Sequence, residues 1–169
     1  YALQKLKDTY TEHEIKVLCS LSFCKLLHYT NIDIHLKKHE FLAKSFIDKF
    51  VQIVEELKTD KPIQYILGET EFAGIDFQLN SETLIPRPET EELVMWIVES
   101  GVQPGASVLD IGTGSGCIIV SLGKLLKGVR LCGVDISPAA VRQAADNARR
   151  NGVEVKFEVR DILRYEEWE

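Results

Sequence analysis

In Asp110-Ile111-Gly112-Thr113-Gly114-Ser115-Gly116 an acid is followed by three glycines at alternate positions. Glycine has no Cβ, so a turn of this kind lets a ligand approach the backbone and aims free N–H groups at it. A purely structural turn is a poor account of the run, because each glycine costs chain entropy and fills no core. Asp135, in Gly133-Val134-Asp135-Ile136-Ser137-Pro138, comes 19 residues after Gly116, where an acid can accept both hydroxyls of a ribose. A third acid, Asp161, lies in Val159-Arg160-Asp161-Ile162-Leu163. Taken alone, Asp135 could be a helix-capping carboxylate and Asp161 a solvated strand end. Together with the glycine turn they outline a nucleoside site.

Two kinds of nucleoside ligand fit such a loop. The dinucleotide fingerprint G-x-G-x-x-G, counted from Gly112, requires a small residue at Cys117, which is tolerable; counted from Gly114, it requires one at Ile119 and fails. The spacing present is D-x-G-x-G-x-G.

The elements that must hold these residues follow from periodicity. Beyond Pro104-Gly105, Ser107 to Ile111 is a short apolar strand and Cys117 to Leu126 a helix. Val129 to Val134 is a second strand. Ser137 caps a helix with Pro138 at its first position, and Asn151-Gly152 closes it. Val141, Ala144, Ala145 and Ala148 form the apolar stripe of that helix, and Val153, Val155, Phe157 and Val159 alternate as a third strand. Strands separated by helices in this rhythm predict a parallel sheet with crossover helices.

A different texture precedes it. From Glu12 to Leu57 apolar residues recur at helical spacing, with Ile15 to Leu26 as one helix and Phe41 to Leu57 as another, so the start of the chain reads as a small helical bundle. Pro62 is expected to end that texture. Thr70 to Leu79 alternates around Ala73-Gly74 as a β-hairpin. The prolines of Leu84-Ile85-Pro86-Arg87-Pro88 forbid helix before Glu89, and Glu89 to Glu99 is a helix with Leu93, Trp96 and Ile97 on one face.

The D-x-G-x-G-x-G run resembles motif I of class I methyltransferases, whose loop wraps the methionine and ribose parts of S-adenosyl-L-methionine. Pro62-Ile63-Gln64-Tyr65-Ile66-Leu67-Gly68, Glu71-Phe72 and Thr83-Leu84-Ile85-Pro86-Arg87-Pro88-Glu89-Thr90-Glu91 resemble the HemK/PrmC family of protein-(glutamine-N5) methyltransferases more specifically. This resemblance spans residues 61 to 163 and implies an α/β fold: a class I, Rossmann-like domain, truncated after its third strand, behind a small all-helical domain and a hairpin linker. The implied divisions are 1–61, helical and substrate-recognising; 62–85, the hairpin linker; and 86–169, the first half of the methyltransferase domain.

The resemblance also implies S-adenosyl-L-methionine as cofactor, held by Gly112, Thr113, Gly114, Ser115, Gly116 and Asp135, with Asp161 and Ile162 at the adenine. Ile162 stands where relatives often carry an aromatic ring. Thr90 and the Arg87 loop would lie near the cofactor, the competing reading of Arg87 being an ion pair with Glu89 or Glu91. The implied substrate is the glutamine of the Gly-Gly-Gln motif in peptide chain release factors, gripped with help from the helical domain. The family's Asn-Pro-Pro-Tyr string has no counterpart in the sequence, so no catalytic residue is assigned. The expectation is an inactive fragment of an active, monomeric, full-length enzyme, whose third strand has an unpaired edge.

Composition narrows the field further. The chain has 169 residues and a formal net charge of -6, which argues against general adhesion to nucleic acid or to an anionic membrane. No apolar run approaches the ~20 residues of a membrane helix, and no signal peptide is visible. The chain opens at Tyr1 and its only methionine is Met95, so the natural N-terminus is expected to lie upstream. Cys19, Cys24, Cys117 and Cys132 form no CxxC pair, and His13, His28, His35 and His39 fit no metal motif; reduced thiols, no metal and a cytoplasmic setting are expected. The competing functions are another class I amino-group methyltransferase, on nucleic acid or a small molecule, and a non-catalytic S-adenosylmethionine-binding module. A nicotinamide dehydrogenase is third, disfavoured by the glycine spacing.

Overall fold

A computed structural model describes residues 1–167, so the last two residues of the expected 86–169 division lie outside the described residues. The chain forms two compact units, Tyr1–Leu67 and Gly68–Glu169. No described helix is long and apolar enough to cross a membrane.

The first unit contains α1 (Ala2–Leu6), α2 (Glu12–Leu27), α3 (Asn31–Leu36), α4 (Lys44–Leu57) and α5 (Ile63–Leu67). Helices α2 and α3 each begin with a capping box: the Thr11 and Thr30 hydroxyls accept from the amides of Glu14 and Asp33, whose carboxylates return bonds to the Thr amides. Leu6, Ile15, Val54, Leu57 and Ile63 form the core. Beside it Phe23 packs edge-on against Phe46 and Phe50, with centroids 4.8 and 5.3 Å away.

Two expectations need correction here. The second long helix starts at Lys44, with Ala43 as its N-cap, so Phe41 and Leu42 precede it and Phe41 is fully exposed. Pro62 does not end the helical texture; its carbonyl accepts from the amides of Tyr65 and Ile66 and so opens α5, consistent with proline's tolerance at a helix start.

In the second unit, β1 (Glu69–Phe72) and β2 (Ile75–Gln78) pair antiparallel. Ala73 and Gly74 join them with φ of 50° and 72°; two positive φ values make the tight turn whose twist matches the strands. Phe72 and Phe77 meet edge-on at 6.1 Å within one core shared with Val94, Ile119, Val120 and Leu122. Next come α6 (Pro88–Glu99), β3 (Ser107–Ile111), α7 (Cys117–Leu125), β4 (Arg130–Asp135), α8 (Pro138–Arg150), β5 (Lys156–Val159) and a kinked 3-10 segment, Ile162–Glu167.

The parallel sheet has the order β3-β4-β5, so β4 is central and β3 as well as β5 has one free edge among the described strands. The grouping of Leu93, Trp96 and Ile97 on one face is not what the core selects: Val94 is fully buried in the core, Ile97 and Val98 pack against that core, and Leu93 and Trp96 are exposed. Strand β5 is shorter than the alternation suggested. The Val153 amide donates to the Ala148 carbonyl and that of Gly152 to Arg149. These two bonds, with Gly152 at φ 64°, form a Schellman cap. Val153 therefore closes α8, and pairing with β4 begins only at Lys156.

Candidate functional site

The parallel register sets Asp110 beside Gly133 and Ile111 beside Val134, so the chain leaves both strands at one edge of the sheet. Leaving β3, it turns sharply. The amides of Gly112 and Thr113 both donate to the Val134 carbonyl, at 2.8 and 2.9 Å, and the Gly116 amide donates to the Thr113 carbonyl at 2.8 Å. Gly112, Gly114 and Gly116 have φ of 74°, 54° and 80°, a region that favours glycine strongly. A Cβ at Gly112 would meet nothing within 4 Å, and one at Gly114 only the Gly112 carbonyl oxygen at 3.9 Å. A Cβ at Gly116, by contrast, would lie 3.0 Å from Ala144 Cβ on α8. The first two glycines thus leave an open cradle, and the third lets helix and loop touch.

One expectation fails at this point. Four of the loop's N–H groups are not free for a ligand: those of Gly112, Thr113 and Gly116 donate to backbone carbonyls, and that of Gly114 donates to Asp135 Oδ2 at 2.9 Å. What the loop offers is room against the backbone, while its amides brace its own shape.

Asp135 ends β4. Its other oxygen, Oδ1, accepts from the Ser137 amide at 2.9 Å, and Ser137 caps α8 by accepting from Ala140. Each carboxylate oxygen has two acceptor directions, so one on each remains for a diol. Asp110 plays another part. Thr113 Oγ1 donates to Asp110 Oδ2 at 2.7 Å. Burial pushes the Asp110 carboxyl above its ordinary value, against the bonds from Thr113 and the Ile119 amide, and the Asp135 charge pushes it further the same way. Burial likewise pushes the Cys117 thiol up to about 11, so at neutral pH it is a protonated core group and no nucleophile. Gly133 makes room for this cluster, since a Cβ there would fall 2.7 Å from Phe157 Cε1 and 3.0 Å from Thr113 Oγ1.

The end of β5 lies beside that of β4 because the Arg160 amide donates to the Asp135 carbonyl at 2.9 Å. Asp161 Oδ1 accepts from the Leu163 amide at 2.9 Å and so starts the 3-10 segment, and Ile162 is exposed. Asp110, Asp135 and Asp161 therefore mark successive strand ends along one sheet edge, where open α/β sheets take ligands. Arg87 is the N-cap residue of α6. Among the described residues it pairs with neither Glu89 nor Glu91, and neither it nor Thr90 bonds the glycine loop.

Sequence reasoning missed the bed beneath the loop. Asn147, fully buried in α8, was passed over in the stripe of Val141, Ala144, Ala145 and Ala148. The signal was a polar residue three positions after Ala144 on the buried face.

Residues 1–68 match the family described as PrmC N-terminal domain, and residues 103–169 match one described as Methyltransferase domain. The chain is 38% identical over 169 residues to the release factor glutamine methyltransferase of Flavobacterium psychrophilum, covering 98% of this chain and 59% of that protein. The chain thus joins a stretch matching a PrmC N-terminal domain to one matching a methyltransferase domain. The enzyme of that name from Bacteroides thetaiotaomicron is 39% identical, covering 96% of this chain and 58% of its own length. That of Koribacter versatilis reaches 45% over 104 residues, 61% of this chain and 37% of its own. The chain spans somewhat under two thirds of the first two of these relatives.

Proposed function

We propose that this chain is the part of a release factor glutamine methyltransferase that binds S-adenosyl-L-methionine. Gly112 to Gly116 hold the methionine and ribose portions, Asp135 accepts the ribose hydroxyls, and Asp161 with Ile162 borders the adenine. The observation that carries this reading is the open backbone at Gly112 and Gly114 beside a carboxylate already fixed by the Gly114 amide. When bound, the cofactor supplies a methyl group activated on a sulfonium.

The chain's own contribution is to bind and to orient. Thr113 ties the loop to Asp110, and the cap of α8 fixes Asp135, so the site is shaped before the ligand arrives and little ordering cost is left for binding. The acceptor proposed for the full-length enzyme is the side-chain amide nitrogen of the glutamine in the Gly-Gly-Gln motif of release factors. Relatives carrying that enzyme's name support this choice. The segment 1–61 is assigned to gripping the factor, 62–85 to linking and 86–169 to holding the cofactor. An amide nitrogen is a poor nucleophile, so orientation and electrostatics must supply most of the acceleration. No residue of this chain is assigned a catalytic role.

Calorimetry of the chain with S-adenosyl-L-methionine, and mass spectrometry of a release factor incubated with the full-length enzyme and the same donor, test the reading. Saturable binding and one added methyl on the Gly-Gly-Gln glutamine are expected. Methyl transfer to a nucleic acid or small molecule instead would overturn the substrate, and absent binding would overturn the cofactor.

A further inference from the structure

Gln143, Asn147 and Asn151 follow one another at four-residue spacing on α8, which places them on a single helix face. All three carboxamides reach the hairpin. Gln143 Nε2 donates to the Gln78 carbonyl at 3.0 Å while its Oε1 accepts from Asn80 at 2.7 Å. Asn151 Nδ2 donates to the Asp76 carbonyl at 3.1 Å. Asn147 does more. Its Oδ1 accepts from the Gln78 amide at 2.8 Å, and its Nδ2 donates both to the Gln78 carbonyl at 3.0 Å and to the Ser115 carbonyl at 2.9 Å.

One buried side chain therefore holds both polar groups of Gln78 and, through its second N–H, the glycine loop. The group it holds there is the Ser115–Gly116 peptide. Asn147 fixes the carbonyl of that peptide, and the Thr113 carbonyl takes its N–H at 2.8 Å. A planar peptide gripped on both sides cannot swing. Ala144, one helical turn before Asn147, packs where a Gly116 Cβ would stand. The far end of the same turn is Thr113, whose hydroxyl holds Asp110.

We propose that Asn147 is a positioning residue for the cofactor: it locks the glycine loop to the end of β2, so that loop and hairpin respond to the ligand as one body. This rests on the reading of Gly112 to Gly116 as the S-adenosyl-L-methionine site. Gln143 and Asn151 staple the same hairpin without touching the loop, which makes them internal controls for a merely structural role.

The test is calorimetric titration of the chain and its variants with S-adenosyl-L-methionine, with melting temperatures recorded alongside. Asn147→Ala is expected to weaken binding about tenfold, because the buried Ser115 carbonyl and the Gln78 amide lose their partner while the Gln78 carbonyl keeps Gln143. Gln143→Ala and Asn151→Ala are expected to melt earlier yet bind within about twofold of the unaltered chain. Saturating ligand should slow hydrogen exchange at the Gln78 amide of the unaltered chain, a readout that needs no variant should Asn147→Ala fail to fold. Binding by Asn147→Ala within twofold of the unaltered chain would overturn the proposal. So would losses of affinity that merely track stability across all three variants, or Gln78 exchange indifferent to ligand. If the unaltered chain binds nothing, the cofactor reading itself fails, an outcome distinct from all of these.

Discussion

In the helical unit the side chains that cap helices find partners close by, as Thr11 does with Glu14 and Thr30 with Asp33, three residues away, although Tyr10 also reaches the Leu57 carbonyl. In the α/β unit the corresponding bonds span 21 residues from Gly114 to Asp135, 69 from Gln78 to Asn147 and 75 from Asp76 to Asn151. Local bonds fix where a helix starts and little else. Long-range bonds fix where one element stands against another, which is what a binding site needs. The helical unit can therefore lose a cap and keep its architecture, while the α/β unit stakes the shape of one loop on a handful of distant side chains.

The sharpest way to break this contrast is Asp135→Ala, which removes the anchor of the Gly114 amide together with the proposed partner of the ribose. Affinity for S-adenosyl-L-methionine should fall about 100-fold in calorimetry, with the unit still folded by circular dichroism. Gly116→Ala comes next. A methyl 3.0 Å from Ala144 Cβ, at a φ of 80°, should cost about 2–3 kcal/mol in denaturant unfolding. Gly112→Ala, in open space at φ 74°, should cost about 1 kcal/mol of strain while obstructing the ligand cradle. Thr11→Ala and Thr30→Ala should each cost about 1 kcal/mol, read as fraying of α2 or α3, and should leave affinity for the cofactor unchanged.

The smallest expected effect has opposite signs in the two units. The Thr30 hydroxyl and amide, with the Lys37 ammonium, hold the Asp33 carboxyl down to about 2. Its contribution is complete above the ordinary value of 3.8 and is lost as pH falls through about 2. Burial raises the Asp110 carboxyl, so the folded state takes up a proton sooner than the unfolded one. On acidification Asp110 adds stability between its raised value and the ordinary one, and below that adds no more. Amide exchange followed through an acid titration should show the glycine loop tightening first, as pH falls toward 3.8, and α3 loosening only at lower pH, as it falls toward about 2.

Most of the sheet region was legible because its punctuation is chemical. Pro138 after Ser137, Gly152 after Asn151, and glycines at alternate positions each permit few backbone geometries. The face of α6 was not legible: Leu93-Val94-Met95-Trp96-Ile97-Val98 is apolar all round, and period alone cannot say which side meets a core. The limits of the helical unit were misjudged for the opposite reason. Thr11-x-x-Glu14 and Thr30-x-x-Asp33 carry the start signals of α2 and α3, and reading them would have fixed the start of α2 and added α3. A buried polar Asn147 on α8 was readable, but its partners were not, since nothing near it in sequence indicates that Gln78 and Ser115 lie against it.

Gly133 shows how little slack such an arrangement leaves. There a ring from β5 and a hydroxyl from the glycine loop divide a single small volume between them. An added methyl would have to displace either the aromatic packing or the grip of Thr113 on Asp110, and neither can retreat without disturbing the other. The middle of the central strand is thus a bottleneck for sequence change: this position is expected to tolerate less variation than Gly112, where an added Cβ meets nothing, although it touches no ligand itself.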